Sequence, residues 1–354
     1  MVSPVSPLQS LPSLTSLLLA STVTLASAVP AMAEVAVVAS IKPLHSLIAG
    51  VMDGVGTPDL IVDGAASPHV HALKPSKAQQ LQDADVVFWI GHELEAFLEK
   101  PLETLPRENA VIVELLESDG LVRHSIRQDE AFEAHSHAHA DEDKHADEDG
   151  HDHDHGDDHD HDHDGHDHDE HDHDEHAGGE PALDPHVWLD PENAKVFVAA
   201  IAATLAKADP DNAPAYAANA ETMTGRLDAL QAELAKELAP AAGKPFVVFH
   251  DAYQYFEKRF GLTAAGAITL SPETAPGAER VAEISGKIRS LDAVCIFSEP
   301  QFEPKLVTVV AEGSNARSGV LDPLGASLDN GPELYPTLLR NMAGAVSGCL
   351  LGGS

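Results

Sequence analysis

Positive charge is scarce in this chain: 21 Lys plus Arg face 58 Asp plus Glu, a formal net charge of −37 over 354 residues. That balance argues against nucleic acid as a partner, because phosphate backbones are bound by clustered Lys and Arg. Aromatic residues are also few, at 5%, while apolar residues reach 43%. Such a core draws mainly on Ala, Val and Leu, as parallel α/β sheets do. Several catalytic and nucleotide-binding signatures are missing. The stretch "GVGTPDLIVDG" (54–64) lacks the Lys-Ser/Thr of a phosphate loop, and no G-x-G-x-x-G joins a strand to a helix. G-x-S-x-G does not occur, so a serine hydrolase has no support. Cysteine is limited to Cys295 and Cys349.

The apolar stretch "LPSLTSLLLASTVTLASAVPAMA" (11–33) ends in an A-x-A-type site at Ala31-Met32-Ala33. It reads as a cleaved export signal over residues 1–33, although no Lys or Arg precedes the apolar part. A membrane anchor is the alternative, but the run is short and broken by Ser, Thr and Pro. No later segment is apolar enough to span a bilayer. Export to an oxidising compartment makes a disulfide plausible, with two buried free thiols as the alternative.

What is abundant is a single block. Residues 129–180 hold 23 acidic side chains against one Lys, and so carry −22 of the −37. Within it, "HDHDHGDDHDHDHDGHDHDEHDHDEH" (151–176) contains no aliphatic or aromatic residue. Nothing there offsets the entropy of ordering, so the segment is expected to be disordered. Its His151, His153, His155, His159, His161, His163, His166, His168, His171, His173 and His176 are read as a loop of weak metal sites. Tethered near a tight site, they would raise the local metal concentration. A solvated acidic spacer is the alternative.

Around this block, strands and helices alternate. Apolar runs at 35–40, 59–62, 86–90 and in "AVIVEL" are separated by helical patterns, including "SKAQQLQDAD" and "HELEAFLEKPLETL". The pattern restarts after the block with "NAKVFVAAIAATLAKA" and a long helix over about 212–238. In that helix Met223, Leu227, Leu230, Leu234 and Leu238 form an apolar stripe at helical spacing. Strands at "PFVVF", "AAGAITL", "AVCIFS" and "GVL" follow, with helices between them and at the end. The expected fold is α/β, with two lobes, each a mainly parallel sheet flanked by helices. The lobes are expected at 34–211 and 240–354, joined by one long rigid helix at 212–239. No close internal repeat is visible beyond the His-Asp run.

Seven histidines lie outside the block: His45, His69, His71, His92, His124, His186 and His250. His69, His186 and His250 fall at expected strand or loop ends, where α/β proteins gather their ligand sites. They are far apart in the chain, unlike the close ligand pairs of a zinc finger, so only the fold could assemble them. Three imidazoles with one oxygen suit tetrahedral Zn²⁺, whereas manganese prefers more oxygen ligands.

The motifs "GAASPHVHALKPS", "PHVWLDP", "FHDAYQYFEKRFGL", "SEPQF" and "LDPLG" together resemble the periplasmic zinc-binding proteins of bacterial high-affinity ABC zinc importers, the ZnuA type of the cluster A-I metal-binding family. The resemblance runs from about Val35 to the C-terminus, interrupted at the His/acid block, which family members often carry at this position. It implies that His69, His186 and His250 match the family's zinc-binding histidines. It implies that Asp322 matches the carboxylate that completes the site in manganese-binding relatives, so the fourth position is Asp322 or water. A Glu that precedes the first histidine in some members is Pro68 here. Manganese-binding relatives have Glu at the third position, where this chain has His250. Cys295 and Cys349 match cysteines that form a disulfide in part of the family, and Glu299 in "SEPQF" matches a feature read as structural. The implied function is a monomeric, periplasmic, non-enzymatic protein that carries Zn²⁺ to an ABC permease and its ATPase. A manganese-type subunit, an exported zinc store or buffer, and a zinc hydrolase are the alternatives. His71 shares the stretch of His69 and His92 starts an expected helix near a strand end; His45 and His124 are read as a packed and a surface residue.

Overall fold

The structure is a computed structural model that describes residues 35–127, 182–269, 277–290, 293–303 and 305–352. The expected export signal and the His/acid block, with His151 through His176, lie outside these residues. The first half runs β1 (Val37–Ala39), α1 (Lys42–Val51), β2 (Asp59–Leu60), α2 (Pro75–Asp83), β3 (Val86–Trp89), α3 (Glu99–Thr104) and β4 (Val111–Glu114). The second contains α4 (Pro191–Ala208), α5 (Ala213–Leu238), β5 (Phe246–His250), α6 (Gln254–Phe260), β6 (Ala264–Thr269), α7 (Ala278–Ser290), β7 (Cys295–Ser298), α8 (Lys305–Ala311), β8 (Arg317–Val320) and α9 (Leu334–Leu351).

Two four-stranded sheets result, ordered β2-β1-β3-β4 and β6-β5-β7-β8, with every strand pair parallel. The second order is the first with each number raised by four. The wiring is therefore duplicated although no sequence repeat is legible. All four residues of β3, Val-Val-Phe-Trp, are buried, as a strand covered by helices on both faces requires.

The long helix is where its stripe places it. Met223, Leu227, Leu230, Leu234 and Leu238 are its buried apolar row, and it packs against α4 while touching both α1 and α9. Each fully buried Leu there contributes roughly 1.5–3 kcal/mol. Local signals fix the neighbouring ends. Asp190 caps α4 by accepting the Glu192 N–H at 2.9 Å, with Pro191 in the first turn. Gly261, at φ 68°, closes α6 in the left-handed conformation that glycine allows. The Cys295–Cys349 disulfide is formed and joins β7 to α9, with Cα atoms 6.1 Å apart.

One element differs from the sequence reading. The stretch "HELEAFLEKPLETL" is not one helix: a turn covers Ala96–Leu98 and only Glu99–Thr104 is α-helical. Pro101 lies inside the stretch and cannot continue the preceding turn, and the buried Glu95 turns inward, its carboxylate accepting the N–H groups of Ile90 (3.0 Å) and Gly91 (3.1 Å) just after β3. That contact holds the segment as a loop.

Candidate metal centre

Each of the three histidines is placed by a short, locally determined device. His69 sits in a single 3-10 turn, Pro68–Val70, whose first residue is a proline; the Ser67 hydroxyl accepts the His69 N–H at 3.3 Å. His186 precedes the turn Val187–Leu189, and Asp184 Oδ1 accepts its N–H at 3.0 Å. His250 is the last residue of β5. In the order β6-β5-β7-β8 all strands run the same way, but the strand order switches sides between β5 and β7, the crevice where open α/β sheets bind ligands. Glu299 follows the end of β7, and its Oε1 accepts the His250 N–H at 3.3 Å.

These devices bring the rings together. The Nε2 of His186 is 3.3 Å from the Nε2 of His69 and 3.3 Å from that of His250. Ring centroids are 5.2 to 5.9 Å apart. A Zn–N bond of about 2.0–2.1 Å at the tetrahedral angle gives an N···N edge of about 3.3–3.4 Å, which matches. The far sides of two rings are held by carboxylates. His186 Nδ1 lies 2.7 Å from Asp184 Oδ1, and His250 Nδ1 lies 2.7 Å from Glu299 Oε1. An Nδ1–H donated to each carboxylate leaves the Nε2 lone pair facing the common point, the usual arrangement behind a metal-bound imidazole. Trp188, Phe302, Pro323 and Leu324 line the pocket with apolar surface.

The electrostatics separate the three rings. Burial, then the neighbouring His186 and His250, pushes His69 down to about 2. Burial and His250 hold His186 well below the ordinary histidine value. Burial also opposes charge on His250, but the Glu299 charge and hydrogen bond, with Asp251 and Asp184, outweigh it and raise its pKa. Burial raises Asp184 to about 6. His69 and His186 are thus held neutral, the state a metal site requires, and His250 is the ring of the three that takes a proton most readily.

The other candidates lie elsewhere. Asp322 is engaged by its own loop and by Gln301: Oδ1 accepts from Gln301 Nε2 (3.0 Å), Leu324 N (3.1 Å) and Gly325 N (2.9 Å), and Oδ2 from Ala326 N (2.6 Å). Among the described residues the candidate metal group that contains these histidines is His69, His186 and His250 alone. His71 packs on Phe97, with ring centroids 5.0 Å apart. His45 is buried with Nε2 2.9 Å from the Pro58 carbonyl. His124 is half-buried against Tyr255 rather than at the surface. His92 Nδ1 faces Glu93 and Glu114 at 3.3 and 3.7 Å, outside the three-histidine group. Sequence reasoning did not name Asp184; its signal was an acidic residue two positions before a candidate ligand. Glu299, read as structural, turns out to support His250.

Comparison with known proteins follows the same line. The family described as "Zinc-uptake complex component A periplasmic" matches residues 37–349. The high-affinity zinc uptake system protein ZnuA of Brucella abortus (strain 2308) is 55% identical over 314 residues, covering 89% of this chain and 91% of that protein. The protein of the same description from Paracoccus denitrificans is 43% identical over 326 residues, covering 92% and 94%. A crystal structure of ZnuA superposes with a TM-score of 0.66 at 21% identity, covering 89% of this chain and 99% of that one, and so supports the fold. With a family match across nearly the whole described chain and relatives this similar over almost their full lengths, the chain belongs to the ZnuA family of periplasmic zinc-uptake components.

Proposed function

We propose that the protein is exported to the periplasm with cleavage after Ala33, binds Zn²⁺ through His69, His186 and His250, and delivers it to an ABC permease driven by its ATPase. Zn²⁺ is cargo here, bound and released without chemical change. The observation that carries the reading is the spacing of the three Nε2 atoms, 3.3 Å on two edges, with a buried carboxylate behind each of two rings. Water completes the tetrahedron: Asp322 is not among the ligand atoms grouped with His69, His186 and His250, and its oxygens are engaged by Gln301 and by its own loop. The lobes are residues 34–211 and 240–354, with 212–239 between them, and the ion sits where they meet. The block 129–180 gathers zinc weakly and feeds the tight site. Among the described residues no helix is long and apolar enough to cross a membrane.

The test is zinc titration of the mature protein beside His250→Ala, with Mn²⁺ in a parallel titration. The expected outcome is one tight zinc in the wild type, lost in the variant, and weak manganese binding in both. Tight zinc retained by His250→Ala overturns the site; manganese bound more tightly than zinc overturns the cargo.

A further inference from the structure

Arg127 lies in a part of the molecule that the three-histidine site does not explain. Residues 124–126 and 182–184 form a short antiparallel ribbon. Ser125 bridges to Leu183, Ile126 N donates to Ala182 O at 2.9 Å, and Asp184 N donates to His124 O at 2.8 Å. This ribbon carries Asp184, the carboxylate behind His186. At its end the Arg127 side chain is 16% exposed and reaches two more buried carboxylates, Asp251 (9%) and Glu257 (3%). Its Nε donates to both Asp251 oxygens at 3.0 and 2.9 Å, and its Nη2 also reaches Asp251 Oδ1. Nη1 and Nη2 donate to Glu257 Oε2 and Oε1 at 3.0 and 2.9 Å.

Both carboxylates lead to His250. Asp251 is the next residue in the chain. Glu257 Oε2 also accepts the N–H of Ala264, the first residue of β6, at 2.7 Å, and β6 pairs with β5, which ends in His250. A single guanidinium therefore joins the ribbon that supports His186 to the strand and turn that present His250. The same ribbon is gripped by α6: Gln254 Nε2 donates to Ser125 O (3.0 Å) and Asp184 Oδ2 (3.2 Å), and Tyr255 OH donates to Asp184 O (2.9 Å).

We propose that Arg127 is a positioning residue for metal binding: a latch that, by holding Asp251 and Glu257, fixes the separation of His186 and His250. The inference rests on the reading of the three histidines as the zinc site. A planar fork with five donors suits this task, whereas a lysine ammonium cannot reach both carboxylates in the same way. An ion pair kept only for stability would be a poor design, since buried pairs gain little over apolar packing.

The experiment uses the mature full chain and four variants: Arg127→Met, Arg127→Lys, His250→Ala, and Leu230→Ala as a destabilised control in α5. Zinc affinity and release rate are read by competition with a chromophoric chelator, site geometry by the visible spectrum of the Co²⁺ form, and folding by thermal unfolding. Arg127→Met is expected to bind one zinc with affinity lowered about 10–100-fold, faster release and an altered Co²⁺ spectrum, with Arg127→Lys between it and wild type. Leu230→Ala is expected to unfold at lower temperature with zinc affinity and spectrum unchanged. Should Arg127→Met not fold, Asp251→Asn removes half of the latch and is read in the same way, beside Arg127→Lys. Wild-type affinity and spectrum in the latch variants overturn the inference, as does an equal loss of affinity in Leu230→Ala. Tight zinc in His250→Ala sinks the metal-site reading itself, and the latch with it.

Discussion

Glu299→Gln is the substitution that most directly separates what supports a ligand from what merely surrounds it. The wild-type carboxylate is 1% exposed and its Oε1 accepts both the backbone N–H and the Nδ1–H of His250. Glutamine keeps the shape and one acceptor oxygen but removes the charge. Loss of such a partner costs about 10–100-fold in metal affinity, or about 1.4–2.7 kcal/mol at 1.36 kcal/mol per tenfold. The pH dependence sharpens the test. Glu299 is the leading group that raises His250 above 6.5 against the opposing effect of burial. In the wild type, as pH falls through that raised value, a proton takes the Nε2 lone pair and zinc affinity drops about tenfold per pH unit. Without the carboxylate the pKa of His250 falls, so the variant starts to lose zinc only at lower pH. Chelator competition at pH 8, 7, 6 and 5 should therefore give two curves, separated when alkaline and converging when acidic. A gap constant across the whole range, or no gap at pH 8, refutes the account of Glu299.

Further outcomes follow from the same geometry. Leu230→Ala, in the buried row of α5, should cost about 2–5 kcal/mol, read by denaturant unfolding. Reducing the Cys295–Cys349 bridge, which spans 54 residues of sequence, should remove about 4 kcal/mol on the chain-entropy account; it should lower the unfolding temperature and leave zinc stoichiometry unchanged. The zinc-free protein should lose stability as pH falls below 6.5. His69 and His186 resist protonation when folded but accept protons when unfolded; His250, Asp184 and Glu95, with raised values, oppose this in part, each contribution being present below its unfolded value and lost as pH rises through its folded value. Deleting residues 129–180 should abolish the weak zinc equivalents and keep one tight ion; loss of the tight ion on that deletion refutes the division of labour.

Much of the fold was legible because its signals are local. The buried β-branched runs gave the strands, the Met223-to-Leu238 row gave the long helix, and "NAKVFVAAIAATLAKA" gave the body of α4. The loop after β3 was misread, because the helical pattern there outweighed Pro101 and the turn of Glu95 back onto the strand end leaves no mark in the residue types. The duplicated strand order was also hidden, since wiring leaves no trace in residue types. At the candidate metal centre the three histidines could be placed on family motifs, but not the carboxylates behind two of them. Asp184 acts through a turn and Glu299 through the adjacency of β5 and β7. Asp322, expected as a possible ligand, is held by three backbone donors of its own loop and by the Gln301 side chain, which residue type alone could not reveal.

The long helix α5 touches α1 in one half and α9 in the other, so it behaves as a beam bolted at both ends. Wide jaw-like opening would have to tear leucines from that beam. If the three histidines hold zinc through bonds of the usual length, a shift far smaller than such an opening would already lengthen them, and a transporter would not have to prise its carrier apart to unload it.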